Sequence, residues 1–323
     1  MVRCCAVVAM SVVAFGSVTA SEGPQNYPTR PIRFILPYAT GGGTDIAARM
    51  FGQKLGEALG QQVVVDNRAG AGGIIGFDVA AKAAPDGHTL IMAAINFTVL
   101  PSLHAKLPYD TIRDFAPISM LTAYPHLLVV HPSLPVTSVK ELIALAKARP
   151  GQLNYASGGT GSVAHITAEL FKSLTGANLL HVGYKGTGPA LVGLLAGEAN
   201  LAFYSVSATA QHIKAGRLRA LASTGEKRSG SLPELQTIAE AGVPGYEASN
   251  WAGVLAPART PKPIITKLHL ELTRILALPD VKQRLASIDF EPVGSTPEQF
   301  RALIQREVTR WGKVVRNAGI PSQ

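Results

Sequence analysis

Three segments join a strand-like run to a helix-like one through glycine, serine and threonine: 37–45, 155–165 and 184–189. A loop of this kind presents the first turn of its helix with several backbone N–H groups unpaired and a partial positive charge. That arrangement binds a carboxylate or phosphate without needing a basic side chain. Glycine lets the anion approach the backbone. One glycine before a helix is often only a turn, whereas three such loops in one chain point to a shared anionic ligand. A fourth stretch, Asp66-Asn67-Arg68-Ala69-Gly70-Ala71-Gly72-Gly73, has the same placement. Two readings stand for it: Asp66 and Arg68 pair to brace the loop, or the loop touches the ligand.

Other chemistries lack their parts. Gly159-Thr160-Gly161-Ser162-Val163-Ala164 fits the dinucleotide fingerprint G-x-G-x-x-A, but 179–190 holds no Asp or Glu for a ribose. The sequence has no phosphate loop G-x-x-x-x-G-K-[ST], no G-x-S-x-G elbow and no H-E-x-x-H. Ser157 and His165 can be drawn as nucleophile and base, yet a histidine in the first turn of a helix more often bonds locally. The histidines form no metal-spaced cluster, so neither a metal nor a cofactor is expected and no residue is assigned a catalytic role. Trp251 could line a cleft or fill the core at a hinge, and core filling is the preferred reading. The stripe Phe300, Leu303, Ile304, Val308 and Trp311 has helical spacing and reads as packing.

The elements that must position these loops alternate along the chain. Strand-like runs fall at 32–36, 63–65, 90–92, 127–130, 179–182 and 218–222, with helical patterns between them. Such alternation means α/β layers with mostly parallel sheets. The first helix puts Ala47, Met50, Phe51, Leu55 and Ala58 on one face and stops at Gly60. Ser138 with Glu141, and Thr296 with Gln299, have capping-box spacing, and Gly176 and Gly197 stand where helices should end. Pro85-Asp86-Gly87 turns into the next strand. With no repeat or long linker, the lobes should be joined by crossing strands, the first near Tyr124-Pro125.

A chain of 323 residues exceeds one ordinary core and suggests two lobes. Hydrophobic residues at 47% and charged ones at 16% exclude disorder. The net charge of +9 comes from Lys and Arg spread without a basic run, which argues against nucleic acid and suits capture of small anions. Residues 1–20 read as a cleaved secretory signal peptide: Arg3, an apolar run from Cys4 to Val18, then Val18-Thr19-Ala20. A membrane anchor would need about 20 apolar residues, more than this interrupted run supplies. Cys4 and Cys5 both lie in the leader, so the mature protein should carry no thiol, and a soluble periplasmic product is expected.

Taken together, the motifs resemble the substrate-binding receptors of tripartite tricarboxylate transporters, often called Bug receptors. The likeness runs through 27–32, 37–45, 65–73 followed by 85–90, 155–162 with His165, 184–190, and Trp251-Ala252-Gly253 before Ala256-Pro257. It implies a two-lobed periplasmic binding protein fold of type II, each lobe a mostly parallel sheet flanked by helices, closing over a ligand in the cleft between. Lobe 1 would comprise 27–124 and 230–323, and lobe 2 125–229, the return boundary being the less sharply fixed. Carried over by position, Tyr38, Ala39, Thr40, Gly41, Gly42 and Asp45 would form one anchor. Ser157, Gly158, Gly161, Ser162 and His165 would form the opposing one, flanked by Tyr184 and Lys185.

Two departures bear on specificity. Where the family usually has small or hydroxyl residues and a Thr-rich loop, this chain has Ala93-Ala94-Ile95-Asn96-Phe97, which would make that wall more apolar. Where an acid often stands, it has Phe203-Tyr204-Ser205, and Tyr204 cannot neutralise an ammonium. Asn96, Phe97 and Tyr204 would then select a carboxylate without a free amine. Gly183 for proline and Arg259 for glycine are smaller local departures. The expected partners are a small carboxylate and the membrane permease of a tripartite transporter, or else a sensor protein, with the receptor itself a monomer. An exported α/β enzyme acting on the same ligand is the rival reading.

Overall fold

The computed structural model of this chain describes residues 26–317, 319 and 320, and the expected signal peptide lies outside them. Aliphatic runs form β1 (Ile32–Leu36), β2 (Val63–Asn67) and β3 (Thr89–Ala94). Each leads into a helix: α1 (Gly43–Leu59), α2 (Ile74–Ala81), entered through a 3-10 turn at Ala71–Gly73, and α3 (Asn96–Leu103). On the face predicted for α1, Ala47, Phe51 and Leu55 are buried. The helix stops at Gly60, whose φ of 67° is left-handed backbone that glycine adopts without strain.

β4 (Phe115–Tyr124) passes through Pro125 alone into β5 (His126–Val130), the crossing expected at Tyr124-Pro125. Lobe 2 then runs α4 (Val139–Ala148), β6 (Leu153–Ser157), α5 (Val163–Thr175), β7 (Leu179–Gly183), α6 (Thr187–Leu195), β8 (Leu201–Ser205), α7 (Val206–Lys214) and β9 (Arg219–Ser223). β10 (Asn250–Pro257) re-enters lobe 1, followed by α8 (Lys262–Ala277), α9 (Pro279–Ala286), β11 (Glu291–Pro292) and α10 (Pro297–Asn317).

The sheet orders are β11-β4-β10-β3-β1-β2 and β7-β6-β8-β5-β9. Both sheets are mixed, within the two-lobed α/β fold expected, and most strands of each point the same way. β1 pairs parallel with β2 and β3, as β6 does with β7 and β8, but β10 and β5 run antiparallel to their neighbours. The cause is topological. Strands whose C-terminal ends carry the loops point toward the cleft, and a strand arriving from the other lobe enters at that end and must run away from it.

The return is more involved than a single boundary at 229/230. Ser229 and Ser231 bond Asp289 of lobe 1, at 2.7 and 3.1 Å. The chain then goes back to lobe 2: Ser223 N–H donates to Gln236 O, Ile238 N–H to Ser223 O, and the Tyr246 hydroxyl to Thr167 O. The segment after β9 thus visits both lobes before β10 begins.

Trp251 fills core, as expected: 3% exposed, its ring stands edge-on to Phe300 at 5.3 Å, a pairing worth about 1 kcal/mol beyond the area it buries. The α10 stripe packs in the same cluster, with Phe300, Ile304 and Trp311 buried. That cluster continues from lobe 1 (Phe77, Phe97, Phe115) into lobe 2 (Leu128, Phe171, Phe203) beneath the crossing strands.

Candidate functional site

In the β1–α1 loop, Asp45 faces inward and is 5% exposed. Its carboxylate accepts from Gly41 N–H (3.1 Å), Asn67 Nδ2 (3.1 Å) and Arg49 Nε (3.1 Å), and Arg49 Nη2 lies 3.0 Å from Oδ1. Burial alone would raise this carboxyl; the bonds from Arg49, Gly41 and Asn67, with the Arg49 charge, hold it below the ordinary carboxylate value. Asp45 therefore shapes the loop, and its charge is already matched. Tyr38 donates to Asn96 Oδ1 at 2.6 Å, Asn96 Nδ2 donates to Gly72 O at 2.6 Å, and Asn67 Nδ2 donates to Tyr38 O at 3.1 Å. Tyr38 and Asn96 thus pin together the loops after β1, β2 and β3. Ala39, Thr40 and Gly41 stay exposed at the loop tip, with Gly42 half-buried.

Asp66 and Arg68 pair at 3.0 Å, with Arg33 adding a 2.6 Å bridge to Asp66, so the bracing reading of this loop is the one realised.

On the opposite lobe, Ser157 accepts the Gly159 N–H at 3.1 Å and shares a 2.6 Å hydrogen bond with His181 Nε2. Gly161 N–H donates to His165 Nδ1 at 3.2 Å, which leaves the ring proton on Nε2. Ser162 caps α5 by accepting the His165 N–H. The two histidine rings lie 4.4 Å apart, and Tyr155 stacks on His181 at 5.0 Å. Burial, then the neighbouring His181, pushes His165 down to about 4, so it is neutral near pH 7. A neutral histidine bonded to a loop amide and a fully buried serine bonded to another histidine make a loop scaffold. Among the described residues, no carboxylate hydrogen-bonds the Ser157–His181 pair.

The flanking positions divide. Lys185 is exposed beside Gly186, whereas Tyr184 turns to its own lobe, its hydroxyl donating to Glu198 at 3.0 Å and its ring lying over Gly193. Gly158 lies against the start of α6, where a Cβ would come 3.2 Å from Thr187 N.

The residues expected to set specificity are all buried. Tyr204 is 1% exposed in the lobe 2 core with Leu127, Ala190 and Leu194, and its hydroxyl has no partner among the described residues. Phe97 is fully buried against Phe77 and Phe115, with ring centroids at 4.7 and 5.0 Å. On β8 the side chains alternate, Phe203 packing in the cluster that runs between the lobes and Tyr204 in the lobe 2 cluster. The sequence reading assigned no role to Ser207, whose hydroxyl lies 2.9 Å from that of Ser205 at the start of α7 and faces Gly43 of the other lobe.

The helix starts differ in how they are capped. Away from the cleft, Ser138 accepts the Glu141 N–H on α4 and Thr296 and Gln299 form a reciprocal box on α10, while α8 and α9 have no side-chain cap and place a proline in the first turn. The helices that follow strands at the cleft, α1, α2, α3, α6 and α7, have no side-chain cap, and only α5 does. Among the described residues, no acceptor meets the N–H of Gly42, Gly43 or Thr44 on lobe 1, nor those of Val163, Ala164, Thr187 and Gly188 on lobe 2. These unpaired donors lie on the two surfaces that face each other.

Those surfaces touch. A Cβ at Gly43 would lie 3.0 Å from Ser207 Oγ, one at Gly72 would lie 3.2 Å from Thr160 O, and one at Gly186 would lie 3.4 Å from the Ala39 Cβ. Two concavities lie elsewhere: 380 Å³ beside β9, lined by Ile213, Leu218 and Leu235, and 560 Å³ in the shallow groove of α1 and β2. Neither gathers unpaired donors from two lobes, so chemistry rather than volume marks the site here.

A family model described as "Tripartite tricarboxylate transporter family receptor" matches residues 47–320. The curated protein BugT of Bordetella pertussis is 40% identical over 325 residues, spanning 99% of this chain and 98% of its own. Among solved structures, "R. palustris Rpa4515 with adipate" superposes with a TM-score of 0.87 at 38% identity, covering 92% of this chain and 100% of that one. The periplasmic binding protein BugD gives 0.86 at 34% identity, with the same coverage.

Proposed function

This chain belongs to the tripartite tricarboxylate transporter family of receptors, which bind a solute and do not transform it, and from that premise we propose that it captures a small carboxylate in the periplasm. The observation that carries this reading is the two-sided array of uncapped helix starts. One carboxylate end of a ligand meets the N–H groups at Gly42, Gly43 and Thr44, and the far side of the ligand meets those at Val163, Ala164 and Thr187. The adipate held by the R. palustris neighbour is an acid with two such ends.

The ligand lacks a free amine. The acids of the lobe 1 loops, Asp45 and Asp66, are each already matched by arginine, and Glu198 of lobe 2 is taken by Tyr184. An ammonium would find no carboxylate without a partner there. Capture proceeds by rotation about the crossing strands, and closure follows because the ligand contacts both lobes only when they meet. Among the described residues no helix is long and apolar enough to cross a membrane. The closed receptor, a monomer, hands its cargo to a membrane permease of the tripartite type.

A thermal-shift screen of mono-, di- and tricarboxylates alongside aspartate and glutamate tests the reading, since a ligand that binds only the native state raises apparent stability. Stabilisation by a dicarboxylate such as adipate is expected. No shift with any carboxylate would sink the ligand class, and tight aspartate binding would sink the amine-free assignment alone.

A further inference from the structure

Both strands that carry the chain between lobes end in a polar side chain aimed at a lobe 1 loop. Tyr124, the last residue of β4 before the crossing, shares a 3.0 Å hydrogen bond with Thr44 Oγ1 in the first turn of α1. Asn250, the first residue of β10, pairs across the ladder with Tyr124. It donates from Nδ2 to Tyr124 Oη at 2.7 Å, so the tyrosine's own proton is free for Thr44. Asn250 Oδ1 accepts the N–H of Trp251 at 2.9 Å and, more weakly, that of Ile95 at 3.4 Å, immediately before α3. Burial pushes the Tyr124 hydroxyl up to about 12, which keeps it a donor in neutral solution.

These groups cost free energy to bury, at 4% and 2% exposure, and an apolar pair of similar size would pack as well. What the polar chain adds is fixed geometry. The Tyr124 ring cannot swing freely, because it stacks on Phe290 at 3.7 Å with 7° between planes, and Phe290 in turn abuts Gly43.

We propose that Thr44, Tyr124 and Asn250 form a strut between the hinge and the ligand loops, with Tyr124 and Asn250 as positioning residues that set affinity without touching the ligand. The strut holds the unpaired N–H groups of α1 and the start of α3 at a fixed offset from the two crossing strands. Rotation of the lobes and the aim of the loops are thereby one motion. Only the choice of probe rests on the carboxylate reading.

The test has a ligand-free arm and a binding arm, both on the full mature chain. Tyr124→Phe keeps the stack on Phe290 and removes both hydrogen bonds. Hydrogen exchange without ligand is expected to accelerate in 40–46 for Tyr124→Phe and in 95–98 for Asn250→Ala, with 158–165 unchanged. In calorimetry with adipate, losing the Thr44 bond, the one of the two that reaches the ligand loop, should weaken binding about 5- to 10-fold in Tyr124→Phe. Thr44→Val should match it, Thr44→Ser should restore binding, and the double variant Tyr124→Phe/Thr44→Val should be no worse than either single, a coupling that general destabilisation does not produce. Unchanged exchange in both segments, or additive losses in the double variant, overturns the strut. If the wild type ignores adipate while the variants still loosen these two segments, the strut stands and the ligand reading falls.

Discussion

Gly43→Ala sets two opposed effects against each other at the place where the lobes meet. Alanine at the start of α1 restricts the unfolded chain, a gain of about 0.5–1 kcal/mol. Against that, a Cβ at Gly43 would lie 2.9 Å from Phe290 Cζ and 3.0 Å from Ser207 Oγ, closer than carbon packs. Phe290 cannot retreat from its stack on Tyr124 at 3.7 Å, so overpacking of about 1–3 kcal/mol follows. The Phe290 share of this cost is present whether the lobes are open or shut, and it roughly cancels the gain. The Ser207 share exists only when they are shut. About 1 kcal/mol specific to the closed state lowers apparent affinity about 5-fold while thermal stability barely moves. Calorimetric titration with adipate of wild type, Gly43→Ala, Ser207→Ala and the double variant reads this directly. Ser207→Ala removes the contacting oxygen and should return most of the lost affinity. Wild-type affinity in Gly43→Ala, or a deficit that Ser207→Ala leaves untouched, would refute the reasoning.

Three further outcomes are expected. Asp45→Asn leaves a loop donor facing an amide N–H₂ and removes the Arg49 pairing, so urea denaturation should show about 1–3 kcal/mol lost and adipate binding should weaken; unaltered stability would contradict the scaffold role. Tyr204→Phe deletes a buried hydroxyl without a partner, so stability should hold or rise by about 1 kcal/mol with adipate affinity unchanged, and a binding defect would return Tyr204 to the cleft. Acid should weaken the fold in a defined window. Burial lowers both His126 and His165 from 6.5 to about 4, so their stabilising neutral state is complete above 6.5. As pH falls from 6.5 toward 4 the unfolded chain takes up protons first, losing at most about 3 kcal/mol per histidine, and the effect then levels off. A denaturation midpoint that stays flat between pH 7 and 4.5 would rule this out.

What the sequence by itself determined was local chemistry. Glycine, serine and threonine at 37–45 and 155–165 read as loop-to-helix junctions, and the runs at 32–36 and 127–130 read as strands, because these depend on neighbours within one turn or one pleat. The crossing at Tyr124-Pro125 was legible for the same reason, proline interrupting a continuous extended run. Tertiary structure decided what each named side chain contacts. Asp45, Tyr38 and Asn96 carry the right chemistry for a ligand, yet each is consumed holding another loop in place, and those loops are distant in sequence. Tyr204 and Phe97 lie beside cleft loops in the chain but turn into cores formed by α6 and by Phe77 and Phe115. The direction of β5 and β10, and the approach of Ser207 to Gly43, depend on how two lobes share one chain. No local pattern encodes that, because the contact exists only once both lobes have folded and met.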